Sequence, residues 1–344
     1  MSAPRPTTTV VLPPRGSSKV AKQHLLVNSG PHTVQLPSGN AICYSGYRHG
    51  QSPDSKVYPS LAQIREDLLI LQGQWQLLRL YDCSLHAQRV LQVIQEDGLD
   101  FRVMLGAYLG AEINNPGCPW GASFSAGQLQ ANRLDNEAEL QRLIALARQH
   151  EDLVFSVAVG NEATVDWTDH LVPVPRMIEH VRMVKASVRQ PVTFCENYVP
   201  WQNKLQPLVA ELDFISLHTY PLWEYKPIDE ALDYTRANLA SVADLHPGKP
   251  IVITEAGWAT RSNGRGMHAE HATEALQAVY CKALLDWARQ AGILCFVFEA
   301  FDEPWKGSSD PLEPEKHWGL YTADRQPKRV VHELFAGVAP RQAD

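Results

Sequence analysis

Two stretches of this sequence each carry an apolar run straight into a carboxylate. Leu153 to Glu162, LVFSVAVGNE, ends in Gly160-Asn161-Glu162, and Pro250 to Trp258, PIVITEAGW, sets Glu255 just ahead of Gly257 and an aromatic ring. Runs as apolar as Ile251-Val252-Ile253 cannot face water on either side, so both read as parallel strands buried on both faces. Two buried strands that each deliver a Glu to the C-terminal end are how a parallel barrel builds a two-carboxylate site. One carboxyl kept protonated gives its proton to a leaving oxygen, while an ionised one attacks an anomeric carbon. A separation of about 5 Å between them gives retention of configuration. Glu196, Glu299 and Glu303 also fall at or beyond strand ends, and spacing alone does not select Glu162 and Glu255 over them.

The elements that position these acids follow a regular alternation from Ala41 onward. Strand patterns cover Ala41 to Tyr47, Gln76 to Asp82, Phe101 to Leu109, Leu153 to Glu162, Pro191 to Tyr198, Phe214 to Pro221, Pro250 to Trp258 and Ile293 to Phe301. Amphipathic helices are predicted between them, among them Asn136 to His150, Trp201 to Leu212 and His268 to Ala291, and a last one near Lys328 to Phe335. Eight strand-helix repeats predict an α/β fold, a (β/α)8 TIM barrel, in one domain over residues 39–338. An open doubly wound sheet is disfavoured, because after Tyr44 the chain reads SGYRHG, which lacks the GxGxxG spacing. Residues 1–38 lack sustained periodicity and read as a loosely packed N-terminal arm, with a hairpin or covering strand available to Leu25 to Val27 and Thr33 to Leu36. The long loops Gly110 to Asp135 and Asp302 to Lys328 follow strands, which places them on the face where barrel sites are built.

The residues ending these strands form a rim of carboxylates and flat rings, Tyr81 and Tyr220 among them. Ring faces pack on the C–H faces of sugars and carboxylates bind their hydroxyls, so the rim suits a neutral carbohydrate. Of the tryptophans, Trp75 and Trp287 read as core, whereas Trp120, Trp167, Trp201, Trp223, Trp258, Trp305 and Trp318 are candidate sugar platforms. A formal charge of −7 on 344 residues opposes binding to nucleic acid or anionic membrane, and no run approaches the roughly 20 apolar residues of a membrane span. No cofactor or metal is expected. There is no P-loop, no GxSxG elbow and no strand lysine for a Schiff base, and HAEH at 268 to 271 is not HExxH. Six cysteines without paired spacing and an N-terminus without an apolar leader read as a cytoplasmic chain, or a periplasmic or secreted one if it is a trimmed module. A monomer is expected.

Seven pieces in order, AICYSG, RLYD, AVGNE, HTYP, ITEAGW, FVFEAFDEPWK and EKHWGLY, resemble glycoside hydrolase family 17, the β-1,3-glucanases, over most of residues 41–335. The resemblance implies a retaining enzyme acting on β-1,3-glucan, with Glu162 as acid/base and Glu255 as nucleophile. It further implies substrate contacts from Asn161, Tyr44, Tyr81, His218, Tyr220, Trp258 and Trp305. Glu303, Lys306 and Glu315 match a polar cluster that supports the nucleophile's charge and position. His218 stands where plant members carry Asn, Ala259 replaces a common Pro, and Pro304-Trp305 interrupts the usual FDEN. These departures touch the groove rather than the acids. A β-1,3-glucanosyltransferase sharing the first half-reaction, a non-catalytic glycan-binding barrel and a metal-dependent barrel hydrolase are the competing readings.

Overall fold

The computed structural model describes residues 24–26, 34–121 and 123–335. Most of the expected arm, residues 1–23 and 27–33, lies outside them, as do 336–338 at the other boundary. Strand β1 (His24–Leu26) pairs antiparallel with β2 (Gln35–Pro37), Leu25 opposite Leu36, which is the hairpin pairing expected of those two runs.

Eight further strands close the barrel: β3 (Ala41–Cys43), β4 (Leu77–Leu80), β5 (Arg102–Ala107), β6 (Val154–Asn161), β7 (Val192–Asn197), β8 (Ile215–His218), β9 (Ile251–Gly257) and β10 (Cys295–Phe298). Each pairs in parallel with its sequence neighbour, and β10 closes the ring on β3, Val297 opposite Ile42. All eight coincide with runs read as strands. Both faces of β4, β7 and β8 are buried, one against the barrel axis and one under helices, which explains why their patterns are continuous rather than alternating. Leu36 of β2 is buried against this core.

The covering helices are α1 (Leu61–Leu71), α2 (Leu85–Glu96), α3 (Ala126–Gln149), α4 (Val174–Lys185), α5 (Tyr198–Gln202), α6 (Gln206–Val209), α7 (Ile228–Ala243), α8 (Glu274–Ala291) and α9 (Arg329–Leu334). Three depart from expectation for local reasons. Helix α3 begins at Ala126 rather than Asn136, because Ser125 and Gln128 form a capping box ahead of a polar, mostly exposed first stretch with no apolar stripe. The helix expected over Trp201 to Leu212 is split into α5 and α6, because Asn203 leaves helical geometry. Helix α8 starts at Glu274, where the Thr273 hydroxyl accepts from the Leu276 amide at 3.2 Å. Among the described residues no helix is long and apolar enough to cross a membrane. All six cysteines are free and buried.

Candidate active site

The backbone bends where β6 delivers its carboxylate. Gly160 has φ +91°, the β6–β7 register shifts between Ala158 and Asn161, and Glu162 itself is left-handed at φ +45°. A non-glycine residue there costs about 1–3 kcal/mol, a strain found mostly where a side chain must be aimed. The Glu162 amide is fixed by donation to the Cys195 carbonyl at 2.9 Å. On β9, Gly257 is required by contact: a Cβ there would collide with the Phe298 carbonyl oxygen on β10. The β8–β9 register also shifts, which sets His218 opposite Glu255. Three strand ends thereby bring Glu162, His218 and Glu255 together, with one carboxylate or imidazole atom of each within 4.8 Å of the others.

Glu255 is buried and held on both oxygens. Oε1 accepts from the Arg79 guanidinium and from the Tyr81 hydroxyl at 3.0 Å, and Oε2 accepts from the Tyr220 hydroxyl at 2.5 Å. His218 Nδ1 lies 3.4 Å from Oε2 of Glu255 and 2.9 Å from Oε1 of Glu162. Burial alone would raise the Glu255 carboxyl, but His218, Arg79 and the Tyr220 hydroxyl more than reverse it and hold it down at about 2. Arg79 also donates to Oδ1 of Asn161 and stacks 4.4 Å over the Tyr81 ring. The Tyr220 ring is wedged edge-on between Phe298 and Trp318, at 5.6 and 5.1 Å. Glu162, by contrast, has 27% of its side chain open to solvent. One acid is therefore clamped as an anion, and the other is partly open to solvent.

The remaining predicted residues divide. Asn161, Tyr81, Tyr220 and Trp305 are half-buried at the rim. Glu303 is buried, accepting from Trp305 Nε1 at 3.1 Å and paired with Lys306. Lys306 also lies 3.5 Å from Glu299, whose carboxyl is fully enclosed and raised well above the usual range by burial and by Glu303. Glu315 is half-buried, 3.7 Å from Arg265. Glu196, an open alternative at the sequence level, is buried and fully engaged, accepting from the Thr164 amide and hydroxyl and the Asn197 amide. It anchors the turn that follows Glu162.

Three expected substrate contacts are corrected. Tyr44 is fully buried, its hydroxyl donating to Asp67 at 3.1 Å. Trp258 is fully buried against Tyr280, with its indole N–H on the His271 carbonyl at 2.8 Å. His218 is also fully buried and lies beneath the acids rather than against a sugar. Trp201 and Trp318 are likewise buried, which leaves Trp120, Trp167, Trp223 and Trp305 as the rings of that set with exposed surface. Trp258→Ala is expected to cost about 3–5 kcal/mol of stability, as truncation of a buried ring does. Thermal unfolding should therefore show a large fall in Tm, while KM for oligosaccharide stays near the parent value. A raised KM at unchanged Tm would restore the platform role.

Two site residues were missed. Arg79 is one: a single cation inside the apolar strand LLRL is the signal, because a buried guanidinium requires a buried anion. His170 is the other, its Nδ1 donating to Asp169 at 2.8 Å and its Nε2 to the Asn161 carbonyl at 3.0 Å, with its ring 4.8 Å from Tyr108. Nothing in its local sequence marks it. Glu162, His218 and Glu255 are the only metal-ligand grouping among the described residues, but the Arg79 cation already paired with Glu255 opposes a metal ion there.

A closed parallel barrel presenting a clamped carboxylate and a partly exposed one at its C-terminal rim is the arrangement that barrel glycoside hydrolases use. The chain belongs to the BtgE/BtgC glycoside hydrolase domain family, whose model matches residues 41–319, and the likeness to glycoside hydrolase family 17 holds. It is similar in structure to an endo-laminarinase from Formosa Hel1_33_131, at 28% identity and TM-score 0.73 over 88% of this chain and 89% of that one. Curated relatives include a glucan 1,3-beta-glucosidase of Arthroderma benhamiae, 27% identical over 56% of this chain and 66% of its own length. Another is a probable glucan endo-1,3-beta-glucosidase, btgC, of Aspergillus clavatus, 25% identical over 79% of this chain and 39% of its own. The chain thus spans between about two fifths and two thirds of these two relatives.

Proposed function

We propose that the protein is a retaining glycoside hydrolase that cleaves β-1,3-glucosidic bonds within β-1,3-glucan chains. Glu255 acts as nucleophile and Glu162 as acid/base, in one catalytic module over residues 39–338. The observation that carries this reading is the pair itself: a buried carboxylate held ionised by Arg79, His218 and Tyr220, within 4.8 Å of a partly exposed one. That separation fits attack and protonation at one anomeric centre with no room for an intervening water, the arrangement of double displacement. The choice of glucan rests on the named activities of the laminarinase and the two fungal relatives.

In the first half-reaction a Glu255 oxygen bonds to C1 as the glycosidic C1–O bond breaks. The bonding pair leaves on the departing oxygen, which takes the proton from Glu162. In the second, water attacks C1, its proton passes to Glu162, and the ester pair returns to Glu255. Tyr81 and Tyr220 donate to the nucleophile's oxygens, and Asn161, which accepts from Arg79, binds a sugar hydroxyl in this reading. A glucanosyltransferase would differ only in letting a sugar hydroxyl replace that water. A proton NMR time course on laminari-oligosaccharides separates the outcomes: the expected result is β-anomers first and only shorter products. Longer products would establish transfer, and α-anomers first would overturn double displacement.

A further inference from the structure

The imidazole of His218 is the one ionisable ring enclosed between the two acids, and it is buried completely. Its Nδ1 faces both, at 2.9 Å from Oε1 of Glu162 and 3.4 Å from Oε2 of Glu255, while Nε2 has no hydrogen-bond partner. One N–H cannot serve two carboxylates equally. Glu255 is clamped by Arg79, Tyr81 and Tyr220, whereas among the described residues the one side-chain hydrogen bond on the Glu162 carboxylate is the one to this ring.

We propose, on the acid/base and nucleophile roles given above, that His218 is a positioning residue for Glu162: its Nδ1–H occupies Oε1, so that Oε2 carries the proton delivered to the leaving oxygen. Its second effect follows from charge. While Glu255 is a carboxylate, it competes for the same N–H. Once Glu255 is esterified its negative charge is gone, and the N–H passes wholly to Glu162, which must at that stage be an anion to accept the water's proton. The imidazole thus opposes protonation of Glu162 least while Glu255 is a carboxylate, and favours the Glu162 anion most once Glu255 is esterified. The ring is raised to about 10 by Glu255, Cys195 and Glu162 against the effect of burial, consistent with an Nδ1 that keeps its proton.

The test compares two glycosides of laminaritriose, one with a 2,4-dinitrophenyl leaving group that departs without protonation and one with a phenyl group that needs it. In His218→Leu, which keeps bulk and removes the N–H, kcat/KM for the phenyl glycoside is expected to fall about 10²-fold more than for the dinitrophenyl one, the size of a general-acid contribution. Azide, which attacks the glycosyl-enzyme without needing a base, should accelerate turnover of the dinitrophenyl glycoside in this variant. His218→Asn keeps an N–H donor and should hold the ratio of the two losses within about threefold of one; it also serves if the Leu variant does not fold. Equal losses on both substrates in His218→Leu, or a 10²-fold split in His218→Asn, would overturn the role of His218 alone. Dinitrophenolate release that survives Glu255→Ala with His218 intact would instead overturn the nucleophile assignment, and the inference with it.

Discussion

Glu255→Ala is expected to lower kcat on laminari-oligosaccharides by on the order of 10⁴- to 10⁶-fold, the range seen when an attacking group is removed from a site that works as a unit. The effect is this large because no neighbour can substitute. Glu299 and Glu303 are enclosed with Lys306, and Glu196 spends its oxygens on Thr164 and Asn197. The Ala variant also leaves the Arg79 guanidinium without its buried anion, so Glu255→Gln, which keeps the shape, separates loss of chemistry from loss of fold. Azide supplies a stereochemical check. In Glu255→Ala it enters the space vacated by the carboxylate and displaces an activated leaving group once, giving the α-glycosyl azide. In Glu162→Ala it meets the glycosyl-enzyme and gives the β-azide. The opposite pairing of anomers with variants would exchange the two roles, and near-parental rates in either variant would remove that residue from the reaction.

Most of the fold was legible because the barrel writes itself as alternation: strands buried on two faces are continuous apolar runs, and each needs an amphipathic cover. The ends of elements were less legible. The first turns of α3 are polar, so only the capping pair Ser125 and Gln128 marks them, and that signal is weak without an apolar stripe behind it. At the site, the strand pattern placed both acids on the correct rim but did not rank them against Glu196, Glu299 and Glu303. Their partners support the reading proposed for Glu255: Glu196 is consumed by backbone and hydroxyl donors, whereas Glu255 is held by cations and phenols. The contact roles of Tyr44 and Trp258 came from the resemblance. Each stands a single residue beyond a strand end, with its ring turned back under a helix. Tyr44 turns to Asp67 on α1, and Trp258 to Tyr280 on α8.

Arg79→Met is expected to have the second-largest effect, acting on stability and chemistry together. The guanidinium reaches from β4 to Glu255 on β9 and Asn161 on β6, so one side chain ties three staves through the barrel interior. Removing one partner of a buried ion pair costs on the order of 3–5 kcal/mol, read as a large drop in the denaturation midpoint, because the remaining carboxylate is left in a medium that does not solvate it. The chemical consequence has a definite sign. Burial raises the Glu255 carboxyl, and His218, Arg79 and the Tyr220 hydroxyl bring it down to about 2; with Arg79 gone, less of the effect of burial is offset, so the ionisation moves upward. The acid limb of the kcat/KM profile should then shift to higher pH in Arg79→Met, with the rate at the optimum also reduced as Asn161 loses its anchor. Stability follows the same linkage. A carboxylate depressed in the folded state contributes fully above its unfolded value of roughly 4.3 and loses that contribution as pH falls toward about 2. The parent protein should therefore lose stability across that window more steeply than Arg79→Met does. Acid limbs that coincide in the two proteins would mean that Arg79 braces the barrel without setting the charge of Glu255.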